Sequence, residues 1–298
     1  MAFKKTTVTT GYTGSVTSTS TQTASGTVQG TVVVYTPLAT LSCDPYGYLI
    51  QYTTLSRVNI TSGTVETVRA PVGDGLRNIQ AIGYNVADNF IYGSLYTKLG
   101  APCDLIRIAG NGDMNIITSL NISATWYPNV GDVDENSQFW ASSQGNQWLQ
   151  LDLKPGSPTW GRTVNNGSGL PPHIMLDWAY VPNSGNYLYG LSYDAKNTSL
   201  PDADNHVYLQ RFERTTKAWS VVADLGNVAG TSNNRFGAVY ASEDGYLFGA
   251  ENGSGQIWKF SVPPNGTTTN WTPSSTFMAY GPTSSSNDGA RCVKAKNV

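Results

Sequence analysis

One short pattern recurs along the chain: an aromatic residue, an apolar residue, a second bulky residue and, in most copies, a small one. It stands as GYLIQY from Gly47, NFIYGS from Asn89, QFWASS from Gln138, NYLYGL from Asn186 and GYLFGA from Gly245. The leading aromatics are Tyr48, Phe90, Phe139, Tyr187 and Tyr246, spaced by 42, 49, 48 and 59 residues. Each follows a turn rich in Gly, Asn, Asp or Pro, such as CDPYG, NVADN or VPNSGN. Near-copies at such a period indicate one supersecondary unit used several times, which restricts the fold before any chemistry is considered.

Each copy is flanked by further alternating runs. Downstream lie SRVNITSG, CDLIRIAGNG, QWLQLDLKPG, HVYLQRFERTT and GQIWKFSVPP, then third runs such as TVETVRA, MNIITSL and WSVVADL. Upstream lie IQAIGYN, MLDWAYV and RFGAVYA. Period-two alternation between turn residues reads as strands. Four short strands per unit predict an all-β chain, a β-propeller of four-stranded blades. A lone four-stranded sheet cannot bury both faces, whereas a radial array packs each sheet on its neighbours. The aromatics are expected between blades, with the small residue permitting close backbone approach. Counting gives five blades over about 41–292, or six if residues 31–40 and 272–292 combine. The run before each aromatic is expected to be the innermost strand. Composition agrees: only 13% of residues are charged, against about 25% in average globular chains. Thr, Tyr, Gly and Asn fill the difference, and they favour strands and turns.

The first 36 residues stand apart, with 16 Ser or Thr among them. They read as a Ser/Thr-rich stalk or linker over about 1–28, with a strand at 31–35 in TVVVYT, and residues 37–298 as the propeller. Strands with free edges recruit partners, so self-association through this segment is an expectation.

Net charge is -2, with no run of Lys or Arg, so nucleic acid and anionic membrane surfaces are not expected partners. No stretch reaches the roughly 18 apolar residues of a membrane span. The residues after Met1 hold no apolar leader segment. Seven N-x-S/T sequons, at Asn59, Asn121, Asn166, Asn197, Asn252, Asn265 and Asn270, are candidate N-glycosylation sites. They point to a secreted, extracellular chain whose leader has been removed.

The chain has three cysteines, Cys43, Cys103 and Cys292. Cys43 opens the first repeat and Cys292 follows the last, so a bridge between them would fasten first blade to last. Cys103 is left over, with burial as its expected fate.

The N-terminal GT…TVVVYTP cadence resembles the Thr-rich repeats of fungal flocculin-type adhesins. NIQAIGYNVADNFIYG, GDVDENSQFW and SSSNDGARC, in that order over about 250 residues, resemble an uncharacterised propeller-like domain family of secreted, mostly fungal, cell-surface proteins. The resemblance implies fold and location and carries no biochemical activity.

A propeller's usual site is the mouth of its central channel. Polar residues on or beside the expected innermost strands are Asp74, Arg77 and Asn78, Asp132 and Asp134, Asp177, Arg235, and Asp288 and Arg291. The ligand-binding set expected from these is Asp132, Asp134, Asp177, Trp178, Arg77 and Arg235. Clustered carboxylates can hold Ca²⁺, form an acid–base pair in glycoside hydrolysis, or bond sugar hydroxyls while Trp178, Trp140 or Tyr84 stacks on the ring. They can equally cap turns and pair with arginines. No cofactor is otherwise implied. The two histidines, His173 and His206, read as lying in different repeats, so no His-rich metal site is expected. The expected role is therefore non-catalytic: adhesion or carbohydrate binding at a cell surface or cell wall. The alternatives are a carbohydrate-active enzyme using the Asp residues, and a structural subunit assembling through its N-terminal strand.

Overall fold

The computed structural model describes residues 3–17, 23–96, 103–122, 126–193, 205–230 and 234–296, with backbone alone over 3–17 and 23–36. The chain divides into two compact units, Met1–Ala39 and Thr40–Val298.

The first unit is an antiparallel ribbon of β1 (Phe3–Thr17) and β2 (Thr23–Pro37). Strand structure thus covers residues that read as a linker followed by a short strand at 31–35. The Thr/Val alternation runs through both segments, and pairing lets it be used. The register places Val8 opposite Val32, Tyr12 opposite Val28 and Val16 opposite Ala24 on one face. Thr9 with Thr31, Thr13 with Thr27 and Ser15 with Ser25 share the other.

The second unit is a five-bladed propeller. Blade one contains β3 (Gly47–Gln51), β4 (Thr54–Val58) and β5 (Val65–Arg69). Blade two is β6 (Asn78–Asn85), β7 (Phe90–Tyr96), β8 (Cys103–Ile108) and β9 (Met114–Leu120). Blade three is β10 (Val130–Val133), β11 (Gln138–Ser143), β12 (Gln147–Asp152) and β13 (Thr163–Ser168). Blade four is β14 (Ile174–Tyr180), β15 (Tyr187–Tyr193), β16 (Val207–Glu213) and β17 (Trp219–Asp224). Blade five is β18 (Phe236–Ala241), β19 (Tyr246–Glu251), β20 (Gln256–Ser261) and β21 (Ser275–Tyr280). The final strand, β22 (Asp288–Ala290), returns to pair with β3 and completes blade one from the far end of the chain. This excludes the six-blade count. Residues 31–37 belong to β2, residues 275–280 to blade five and residues 288–290 to blade one, so among the described residues no strands remain for a sixth.

The recurring pattern forms the second strand of every blade. Tyr48 packs between blades one and two against Tyr84, with ring centroids 6.2 Å apart. Phe139 and Tyr189 are fully buried. Tyr187 and Tyr246 lie at the edge of the packing, where Arg211 and Lys259 cover their rings. Gly190 shows why a small residue is needed: a Cβ there would come within 2.5 Å of the Asp177 carbonyl oxygen on β14. Gly289 plays the same part between blades, since a Cβ would meet the Val239 backbone nitrogen at 2.9 Å.

Three devices hold the ring closed. The β22–β3 ladder supplies backbone bonds. Cys43 and Cys292 form a disulfide with Cα atoms 5.2 Å apart, spanning 249 residues. Between them, the buried Arg291 guanidinium donates to the carbonyls of Pro45, Ala241, Ala295 and Lys296, tying the chain end to blades one and five. Cys103 is a buried free thiol, and burial pushes its pKa up to about 12. Replacing Cys43 and Cys292 together by Ser is expected to retain the folded spectrum. Equilibrium urea unfolding of that variant should show a loss of about 3–5 kcal/mol, the scale expected for so long a closed loop.

Candidate functional site

The innermost strands β22, β6, β10, β14 and β18 surround the axis, and their free edges face inward. An unpaired buried N–H is unfavourable. Three aspartates answer this, each reaching to a neighbouring innermost strand. The two carboxylate oxygens of Asp288 accept from the amides of Ala81 and Ile82, at 2.5 and 3.1 Å. Asp132 accepts from Tyr180 N at 2.8 Å, and Asp177 from Val239 N at 2.8 Å and Trp178 N at 2.9 Å. Ala81 and Ile82 together oppose Gly93 in a β-bulge, which frees their amides from the ladder. Ala81 adopts a φ of 52° there. All three carboxyls are buried. Burial pushes Asp132 up to about 8, against the restraining backbone amides of Tyr180 and Val133. Asp177 is raised well above the ordinary range by burial and then by the charge of Asp288. Burial raises Asp288 likewise, opposed by the Ile82 and Ala81 amides.

The hairpins leaving the innermost strands form the mouth at one end. A cavity of about 400 Å³ lies there, lined by Asn85, Asp134, Glu135, Tyr180, Asn183, Glu243 and Lys294 among others. A second cavity of about 350 Å³ shares Pro182, Asn183 and Glu243 with it and runs outward past Asp244, Tyr246 and Trp271. Arg214 organises the mouth from beneath. Its guanidinium grips both oxygens of Glu135, at 2.7 and 2.8 Å, and donates to Asp134 at 2.7 Å. Trp140 Nε1 donates to the same Asp134 oxygen at 2.8 Å. Burial pushes the Glu135 carboxyl up, but the Arg214 bonds and charge more than reverse this and hold it below the ordinary value. Burial, reinforced by the Glu135 charge, raises the Tyr180 hydroxyl to about 12. It therefore stays protonated across the physiological range.

The expected ligand-binding set is dispersed by the fold. Asp132 and Asp177 meet at the axis, bonded to backbone and enclosed. Asp134 reaches the mouth but is neutralised by Arg214. Trp178 is fully buried among Trp140, Trp148, Met175 and Phe212, so its ring faces protein. Trp140 and Tyr84 are buried as well. Arg77 and Arg235 lie at the opposite end, where the chain enters innermost strands. Arg77 pairs with Asp74 and Asp104. The Arg235 guanidinium lies 4.7 Å from the Tyr193 ring centroid and borders a cavity of about 370 Å³ with Glu251 and Ser284. Among the described residues, no group of three His, Cys, Asp or Glu side chains is placed to hold a metal ion. Of the sequons, Asn121, Asn166, Asn265 and Asn270 are exposed, Asn59 and Asn252 are half-buried, and Asn197 lies outside the described residues.

The mouth residues Asn183, Glu243, Trp271 and Lys294 carry no site signal in the sequence. The one available clue is that SEDG and VPNSGN occupy equivalent positions in successive repeats, so their turns must converge.

The raised Asp132 pKa fixes a pH dependence. A carboxyl with pKa raised on folding contributes stability that is complete below its unfolded value, near 3.8, and is gone once pH has risen through about 8. Asp132→Asn should remove this loss. Between pH 5 and 7 the wild-type minus variant stability should fall by on the order of 1 kcal/mol per pH unit, flattening above the folded pKa, as read by urea unfolding at each pH.

Solved propeller structures are similar to this chain at low identity. One is a catalytically inactive virginiamycin B lyase from Staphylococcus aureus with quinupristin, with 13% identity, 94% of this chain and 89% of that chain covered, and a TM-score of 0.44. Another is the PQQ-bound aldose sugar dehydrogenase from Streptomyces coelicolor, with 12% identity, coverage of 80% and 83%, and a TM-score of 0.42. A third is TolB from Acinetobacter baumannii, with 14% identity, coverage of 78% and 52%, and a TM-score of 0.44. No curated protein matches the chain. Residues 48–294, which span the blades from the first recurring aromatic to just past the closing disulfide, match DUF6923, a repeat of unknown function, and the chain belongs to that family.

Proposed function

We propose that this is a non-catalytic, extracellular propeller that binds glycan at the channel mouth, at a cell surface or wall. The observation that carries the reading is the pair of cavities sharing Pro182, Asn183 and Glu243. Carboxylates and amides at the axis end suit sugar hydroxyls, which donate and accept at once. Half-buried Tyr246 and Trp271 at the outer end offer apolar ring faces to a pyranose. The disulfide supports an oxidising compartment, and the exposed sequons are consistent with one. Trp271→Ala and Glu243→Gln should each weaken the best ligand of a glycan array by about tenfold without lowering the melting temperature. An array with no binder, or variants that bind as wild type does, would count against the reading.

The enzymatic alternative draws on one observation, the raised Asp132 pKa, which is what a general acid needs. Against it, the Asp132 carboxylate is enclosed and accepts backbone amides. Polysaccharide digestion by wild type that Asp132→Asn abolishes would favour the enzyme.

Self-assembly through the N-terminal ribbon is a second function for the same chain. It is supported by the pairing of only two strands there, since an isolated two-stranded ribbon is marginal in water. Light scattering should find the full chain larger than a monomer and residues 40–298 monomeric. A monomeric full chain removes this role.

A further inference from the structure

The fold engages five members of the ligand-binding set expected from the sequence and leaves the sixth open. Asp132 and Asp177 accept backbone amides, Asp134 and Arg77 are ion-paired, and Trp178 is enclosed. Arg235 is exposed, and among the described residues its guanidinium has no hydrogen-bond or ion-pair partner. It lies over the Tyr193 ring, 4.7 Å from the centroid. This stacking positions the cation and leaves its planar fork of N–H donors unused.

Arg235 borders a cavity of about 370 Å³ at the end of the channel opposite the mouth. Small-molecule sites run roughly 300–1,000 Å³. The start of β18, the β19–β20 turn and the segment before β22 form the walls, and those walls are fixed by their own bonds. Asn252 Oδ1 accepts from Gly237 N and from Asn287 Nδ2, both at 3.0 Å, and Asn287 Oδ1 accepts from Gln51 Nε2 at 2.8 Å. Ser284 N donates to the Asn252 carbonyl at 3.0 Å. Glu251 is the one carboxylate in the lining and is 1% exposed. It accepts from Ser254 N and Ser254 Oγ, both at 2.6 Å, and from Arg235 N at 3.4 Å. Its oxygens are thus spent on the turn, and they do not pair with the Arg235 guanidinium. The hydroxyls of Thr283, Ser284 and Ser285 complete the lining, which contains no aliphatic or aromatic residue.

We infer that this cleft binds a sugar acid, with Arg235 gripping the carboxylate and the Ser and Thr hydroxyls meeting the ring. A guanidinium fork matches the two oxygens of a carboxylate. Hydroxyl side chains donate and accept as sugar hydroxyls do. A neutral sugar brings no charge to the guanidinium, and a lining without apolar side chains gives an apolar ligand nothing to bury. The enclosed Glu251 charge favours a monoanion over a dianion such as phosphate. The site is separate from the mouth and does not depend on glycan binding there.

The test is calorimetric titration of the full chain at low ionic strength, produced without N-glycosylation so that Asn252 in the lining carries no sugar. The probes are D-galacturonate and D-glucuronate, the neutral D-galactose and D-glucose, and inorganic phosphate. The expected result is saturable binding of a uronate, at least tenfold tighter than its neutral counterpart and tighter than phosphate, and weakening as salt is added. Arg235→Gln should reduce uronate affinity about tenfold or more at an unchanged melting temperature, because the side chain is exposed and holds no structural bond. Absent uronate binding, equal affinity for acid and neutral sugar, phosphate binding as tightly as the uronate, affinity indifferent to salt, or wild-type affinity in Arg235→Gln overturns the assignment. So does uronate binding that Trp271→Ala abolishes and Arg235→Gln leaves intact, which would place the sugar at the mouth instead.

Discussion

A ring of radial sheets turns one edge of every innermost strand toward a common, enclosed axis. Those edges carry backbone donors that must find acceptors inside the protein. Asp288, Asp132 and Asp177 supply them, each spanning from its own strand to a neighbour. Packing between blades, the position of the bulges and the glycines at close approach all follow from bringing these strands together. The cost is that three carboxyls share an enclosed volume. Burial and mutual repulsion favour their protonated forms, and the backbone amides offset this only in part.

This resolves what a polar propeller axis means here. Strongly shifted carboxyls often mark a catalytic centre, but ion and hydrogen-bond networks of purely structural purpose shift them too. The distinguishing fact is where the oxygens point. Here they accept amides of the adjacent blade, whereas the residues open to solvent lie farther out, on the hairpins of the mouth and in the clefts between blades. Arg214 makes the same point for Asp134 and Glu135: the acidic pair is held in place from below by one guanidinium, which offsets one of its two charges.

Much of the architecture was legible in the sequence because it is periodic. The second strand repeats its aromatic pattern five times, and the run before it is the innermost strand in blades two to five. Cys43 and Cys292 flank the repeats, and their pairing follows from closure. What was not legible is what depends on single residues meeting across the ring. β22 is only Asp288–Ala290, too short for alternation to show in the sequence. Arg214 meets Asp134 from 80 positions away. Trp178 looked presentable on a strand next to Asp177, yet Trp140, Trp148, Met175 and Phe212 enclose it. The mouth itself is assembled from turns, whose composition announces a change of direction and nothing about what converges there. The N-terminal segment was read from composition as linker and short strand, and only pairing between its halves makes it a ribbon.

The borrowed strand of blade one has a consequence for how the molecule comes into being. Blades two to five are contiguous in sequence, and each can form as its own stretch of chain emerges during synthesis. Blade one cannot, because its innermost strand is made last. The axis therefore stays open along one side until residues 288–290 arrive, leaving the Ala81 and Ile82 amides without their acceptor. Completion is a single late event that seats a strand, buries Arg291 and brings Cys292 to Cys43. A chain interrupted shortly before that point would hold four finished blades and an unsealed ring.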